Sequence, residues 1–338
     1  MKTIRLTAFV LSLIALLGAA SSPQPADVIK AGDVICFGTP DEESGFDGRW
    51  LVLDPEHTNT GEDGMFVVSL GLVGGREGEA LLFRDIGDVS VSFSDTGKSY
   101  AALHPGVTDY RGSDIQLWCE AFPETYLSEA ERDALLPTCK SDAAIVIPGF
   151  GIPLPGAEAG TVDFDPAEKV LDGDLVFLLS VEEATSYVLD EARSRVAFYK
   201  GEAAGYWLRS PHIPTFPLDV GFVFPFGAVM DYPVNARSMF EMTTYARPAC
   251  NLDSSRISSL EPIGGEEGVT VWRVSFDGES NEREYESTLP QVGEVKDLNQ
   301  MIRTAFFVAV LVLAAIVALI VWLILRAVKK KKARKETA

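Results

Sequence analysis

The sequence predicts an extracellular domain of short strands and capped helices, carried by a single transmembrane helix. Three features predict it: a long apolar run near the C-terminus, a basic tail behind that run, and short aromatic segments interspersed with capping-box signals ahead of it. Ala305 to Leu325 holds no charged or strongly polar side chain. At about 1.5 Å per residue a helix of that length spans roughly 30 Å, the thickness of a bilayer's hydrocarbon core. A soluble core would have to cover such a helix on every side. Residues 304–325 are therefore read as the membrane span.

The flanks set the orientation. Arg326, Lys329, Lys330, Lys331, Lys332, Arg334 and Lys335 crowd the tail, residues 326–338, and Lys/Arg-rich flanks stay cytoplasmic. The cluster reads as a stop-transfer signal lying against anionic lipid rather than a nucleic-acid site. At the other end Lys2 and Arg5 precede an apolar run from Leu6 to Leu17, and Gly18, Ala19 and Ala20 offer small residues for cleavage. Residues 1–20 thus read as a signal peptide. The expected product is a single-pass protein of the cell membrane, N-terminus outside and C-terminus cytoplasmic.

The bulk left outside, about 280 residues, is long enough to bury its own core. It carries 19 Lys and Arg against 48 Asp and Glu, a net charge of −29. So acidic a domain repels nucleic acid and anionic polymers. Cys36, Cys119, Cys139 and Cys250 all fall in this oxidising compartment, where disulfides form. Of the three ways to pair them, Cys119 with Cys139 and Cys36 with Cys250 is preferred. His57, His104 and His212 are scattered and no Cys-x-x-Cys occurs, so no metal site is expected. The loop Asp54 to Gly64 has oxygen ligands that would suit calcium, without the EF-hand spacing. It reads as an ordinary loop, and no cofactor is expected.

Taken in order, Val34 to Phe37, Trp50 to Leu53 and Met65 to Val73 read as strands. Ser113 can cap a helix from Asp114 to about Phe122, with Ile115, Trp118, Cys119 and Phe122 at helical spacing. Ser128 to Glu131 is a capping box that opens a short helix ending at Pro137. Ile145 to Pro155 is a packed Gly- and Pro-rich loop. Val176 to Leu179 is a strand, and Ser180 to Glu183 a second capping box that starts a helix through about Ala192. Gly205 to Pro211 and Val220 to Val229 are aromatic strands of an antiparallel sheet with long loops. Val269 to Phe276 alternates as a final strand. Residues 277–303, acidic and Pro-containing, read as a stalk.

Trp207-Leu208-Arg209-Ser210-Pro211, followed by Arg247-Pro248-Ala249, resembles a bacterial surface-protein domain family of unknown function. Three more segments look like the same family: Gly32 to Gly38, Ser113 to Trp118, and Val176 to Ala184. The match covers about residues 30–255 of a domain spanning 30–276. The family is similar to the C-type-lectin fold and, distantly, to formylglycine-generating enzymes. The resemblance implies an α+β, C-type-lectin-like domain with two main helices flanking a small twisted antiparallel sheet. It brings no catalytic or ligand residues. Arg209 and Arg247 read first as staples for loop carbonyls and carboxylates, and Tyr206 and Trp207 as buried area.

The expected function is a non-catalytic binding module. Its loops 212–219 and 231–244 would meet an extracellular protein or glycan, with Tyr232, Asn235, Arg237 and Phe240 as candidate contacts and Met239 and Tyr245 beside them; these residue types favour interfaces. One alternative is a structural subunit of an envelope complex. The other is an oxidase like the formylglycine-generating enzymes, which the lone Cys250 disfavours, because those enzymes use paired cysteines near that end.

Overall fold

A computed structural model describes residues 28–74, 110, 113–141, 144–145, 161–162, 170–211, 219–233, 244–266 and 268–291. The segment expected to be a signal peptide, the apolar run at 304–325 and the basic tail lie outside these residues. Among the described residues no helix is long and apolar enough to cross a membrane.

The described residues form one compact unit. Among the described residues seventeen strands run in order: β1 (Val34–Cys36), β2 (Arg49–Asp54), β3 (Met65–Ser69), β4 (Leu135–Leu136), β5 (Thr138–Lys140), β6 (Ala144–Ile145), β7 (Thr161–Val162), β8 (Leu171–Asp174), β9 (Val176–Leu178), β10 (Ala197–Tyr199), β11 (Glu202–Pro211), β12 (Asp219–Val223), β13 (Val229–Pro233), β14 (Thr244–Tyr245), β15 (Pro248–Leu252), β16 (Ile257–Glu266) and β17 (Val269–Phe276). The α-helices among the described residues are α1 (Asp114–Tyr126), α2 (Glu129–Asp133), α3 (Val181–Ala184) and α4 (Ala192–Arg195).

The main sheet has eight strands in the order β16-β17-β1-β2-β3-β15-β4, with β9 also paired to β15. A second sheet orders β10-β11-β12-β13, with β14 on β11. This corrects the expected fold class. The domain is built mainly of strands around a large mixed sheet, and of its described helices only α1 exceeds five residues. It is not a small antiparallel sheet flanked by two main helices, and the C-type-lectin-like reading falls with that. The decisive pairing is parallel: Val34, Ile35 and Cys36 of β1 lie beside Val271, Trp272 and Arg273 of β17. It joins the first strand to the last, and Asp33 fastens the junction by accepting from the Thr270 N–H at 2.9 Å and Trp272 Nε1 at 3.1 Å.

An aromatic cluster fills the core between the main sheet and α1. Phe37 stacks on Trp50 at 4.9 Å, and Phe46 and Phe122 meet edge to face at 5.1 Å. Such pairs add to the stabilisation that burial alone provides. Ile115, Cys119, Phe122 and Tyr126 of α1 face this cluster, at the spacing of one helical stripe. The helix runs a turn beyond the expected end and tolerates Pro123 near its C-terminus, where the Leu127 N–H still reaches the Pro123 carbonyl. The helix expected through Ala192 is interrupted. The α3 segment stops at Ala184, where the Thr185 hydroxyl donates back to the Val181 carbonyl, an alternative to continuing the helix. Tyr187 then turns at φ 56° and places its ring against Phe66 at 5.5 Å.

The expected stalk also differs. Residues 277–291 lie on the domain, where Tyr285 and Leu289 cover Val34, Cys36 and Val271 on the outer face of the main sheet.

All four cysteines are free. Cys36 on β1 and Cys250 on β15 are separated by β2 and β3. At about 4.8 Å per strand that gap is roughly 14 Å, twice what a disulfide spans. Cys119 is buried under α1, whereas Cys139 is exposed with its sulfur 4.0 Å from Asp172 Oδ1. Burial raises the thiols of Cys36 and Cys119 to about 12 and lifts that of Cys250 further. In the native protein iodoacetamide should therefore label Cys139 alone, and denaturation should open the other three. Intact-mass measurement checks this, and a native protein with no reactive thiol would contradict it.

Candidate functional site

A surface pocket of about 440 Å³ opens between the β10–β11 hairpin, the loop entering β2, the end of β3 and the C-terminal segment. Its lining includes Asp47, Arg49, Phe198, Lys200, Glu286 and Gln291. Cavities of this size accommodate small ligands or the end of a larger one.

Local backbone chemistry shapes each wall. The hairpin turns on Lys200 and Gly201, at φ 48° and 86°, between Tyr199 and Glu202. Two consecutive residues in the left-handed region match the twist of the flanking strands. The turn presents Lys200, whose ammonium reaches the Glu43 carbonyl at 3.1 Å and lies over the Tyr199 ring at 5.2 Å. Tyr199 in turn stacks on Tyr245 at 4.0 Å. On the opposite wall Arg49 is bound on every side. It donates Nε and Nη2 to Asp47 Oδ2 at 3.0 and 2.8 Å and Nη1 to the Thr288 carbonyl at 2.6 Å, and it lies 3.2 Å from Glu286 Oε2. Both carboxylates of the pocket are thus occupied by Arg49. Lys200, with three N–H bonds and a carbonyl for one of them, is the cation best placed to meet a ligand's acceptor oxygens.

A second polar cluster is buried. Glu183, third residue of α3, receives five donors on its two oxygens: Arg209 Nη1 and the Ser180 N–H on Oε2, and Arg209 Nη2, Lys140 Nζ and Asn59 Nδ2 on Oε1. The distances run from 2.6 to 2.9 Å. Burial opposes the charge, but the Arg209 guanidinium and the Lys140 ammonium outweigh it and hold the carboxyl well below the usual carboxylate range. Asn251 extends the network, donating to Asn59 Oδ1 and Thr138 Oγ1, each at 2.8 Å.

The Trp-Leu-Arg-Ser-Pro motif belongs to this cluster and not to the pocket. Arg209 is fully buried and its guanidinium lies 5.4 Å from the Phe177 ring centre. Ser210 accepts the Val181 N–H at 2.9 Å, satisfying an orphan donor at the start of α3. Trp207 packs edge to face on Phe222 at 5.0 Å, and Leu208 is fully buried. Pro211 ends β11, and Pro248 opens β15. Arg247 donates Nε to the Ser69 carbonyl at 2.9 Å and Nη1 to Tyr206 Oη at 3.0 Å, stapling the two sheets.

The backbone of Tyr232 lies in β13. Asn235, Arg237, Phe240 and most of the loops 212–219 and 231–244 fall outside the described residues. The calcium-suited loop is an internally bonded turn, in which Asp54 Oδ1 accepts the Glu56 and His57 N–H groups at 2.9 and 3.0 Å. Among the described residues no group of three metal-ligating side chains occurs. Sequence reasoning passed over Arg49, Lys200 and Glu286, since a turn lysine and a stalk glutamate look solvated until the fold brings them together. The chain matches no protein-family model, no curated protein and no solved structure.

Removing one partner of a buried, hydrogen-bonded ion pair costs about 3–5 kcal/mol. Arg209→Met should lower the unfolding free energy by about that amount in urea titration, and Arg209→Lys should not rescue it, because an ammonium cannot reproduce the fork. The pH dependence has a defined sign. Glu183 is depressed in the folded state, so its contribution is complete above the unfolded carboxylate value of about 4.3 and drains away as pH falls below it. In Glu183→Gln that part of the acid-induced loss should disappear.

Proposed function

We propose that the chain is a membrane-tethered extracellular binding module without catalytic activity, held by the apolar run at 304–325. The pocket beside Lys200 is its most concrete contact site, and this pocket is the observation that carries the reading. Its chemistry is that of recognition: one adaptable ammonium, the half-buried ring of Phe198, and Gly201, whose α-carbon faces open space so that a ligand can approach the backbone. A glycan end or a polar protein segment, rich in acceptor oxygens, fits that lining. The protonated, buried thiols of Cys36, Cys119 and Cys250 favour binding over the thiol chemistry of formylglycine-generating enzymes. The excess of Asp and Glu over Lys and Arg supports a ligand other than nucleic acid.

Full-length protein in nanodiscs, probed on glycan and protein arrays, should give a discrete set of hits. Lys200→Glu should weaken them by about tenfold, equivalent to roughly 1.4 kcal/mol. No binding above background on either array would sink the proposal. Protease added to intact cells should remove the acidic domain and spare the lysine tail.

A further inference from the structure

The C-terminal segment that forms one wall of the pocket is attached in an unusual way. From Glu282 to Thr288 burial alternates with a period of two: Arg283, Tyr285 and Ser287 are half-buried, as is Leu289, while Glu282, Glu284, Glu286 and Thr288 are exposed. That is the periodicity of an extended chain lying on a surface. Side chains make most of its bonds to the domain. Asn281 Nδ2 donates to the Cys36 and Val274 carbonyls at 3.1 and 2.8 Å. Arg283 Nη1 reaches Glu131 Oε1 at 2.6 Å, and Tyr285 Oη the Gly38 carbonyl at 3.0 Å. Beyond them Arg49 grips the Thr288 carbonyl and the Glu286 carboxylate, and Gln291 Nε2 bonds Glu266 Oε1 at 2.7 Å.

Two glycines make room for it. A Cβ at Gly48, which sits at φ 73°, would lie 2.6 Å from the Tyr285 ring, and one at Gly264 would lie 2.5 Å from Ser287 Cβ and 2.6 Å from its carbonyl oxygen. The root at Asn281 is buried, and in the outer part the Arg49 side chain is 7% exposed, so water reaches the latch only from the side of the segment. Glu286 is 64% exposed, and from that side water and salt compete for its carboxylate.

We propose that residues 284–291 are a releasable clamp, latched by Arg49, that sets how far the domain can stand from the bilayer. The inference rests on the membrane-tether reading above. Thirteen positions separate Gln291 from Thr304, where the apolar run begins. An extended chain covers at most about 3.5 Å per residue, so the closed clamp limits the tether to roughly 45 Å. Release back to Arg283 leaves 21 positions and raises that limit to roughly 75 Å. Opening also withdraws Glu286, Pro290 and Gln291 from the pocket wall. A ligand that needs that wall therefore favours the closed state, by linkage.

The test uses the full-length chain in nanodiscs with two readouts and two variants. Arg49→Gln removes the latch, and Gly264→Val drives a side chain against Ser287 without touching Arg49. Hydrogen exchange in 284–291 should accelerate about tenfold or more in both variants, with β1 and β2 remaining protected. Energy transfer from a dye on the exposed Cys139 to acceptor-labelled lipid should fall in both. Unchanged exchange in 284–291 in Gly264→Val overturns the clamp. Faster exchange with unchanged transfer overturns its control of height. No transfer in any form, wild type included, overturns the membrane reading and the height role together, while exchange still reports on the clamp itself.

Discussion

The carboxylate of Glu183 is the point on which the domain's separate parts depend. Its donors come from the start of α3, from β11 in the second sheet, from β5 and from the loop between β2 and β3. Through Asn59 it reaches Asn251 on β15 of the main sheet. No apolar contact has this property, because hydrophobic burial is indifferent to which partner covers a surface. A buried carboxylate is not indifferent. Left with fewer donors it carries the cost of its lost hydration, so arrangements of the two sheets that leave it short are penalised. Its net contribution to stability against a well-packed apolar alternative is modest, and its effect is to specify one arrangement.

The same device occurs a second time. Glu131, third residue of α2, is 3% exposed and closes the box with Ser128. It also accepts the Gly38 N–H at 2.9 Å and the Arg283 guanidinium. In both places a glutamate that completes a helix N-terminus also ties a distant segment to it. The helices are too short to persist alone, at four and five residues, and isolated helices of that length are unstable in water. Their stability comes from these partners, and in return they orient the glutamates.

Much of this was legible in the sequence at the level of local chemistry. Both capping boxes, the helix start at Ser113 and the apolar cores of β1, β2, β9 and β17 follow from patterns within a few residues. The architecture was not legible, because it depends on pairings across more than two hundred positions, such as Val34 with Val271. β16 was not foreseen: it carries Pro262 and the Gly264-Gly265 pair, residues that ordinarily interrupt strands. An edge strand tolerates both, and its register shifts at those residues. The cysteine pairing failed because spacing says nothing about how many strands intervene. Arg209 and Arg247 invited reading as staples, yet nothing local identified Glu183 or Tyr206 as their partners.

The C-terminal segment shows how a real signal can be masked by composition. Glu282-Arg283-Glu284-Tyr285-Glu286 looks like a solvated acidic linker when its charges are counted, but the residues between the glutamates are half-buried against the domain and Glu286 meets Arg49. In so acidic a domain, an acidic strand can lie on the surface only if cations are placed along it. They are supplied from both sides: Arg49 reaches out of the sheet to the segment, and Arg283 reaches from the segment to Glu131. The outward glutamates repel one another and the rest of the surface, which keeps the attachment shallow. The acidity that makes the segment look detached therefore also weakens its hold, and the two arginines decide how far along the chain it stays on the domain.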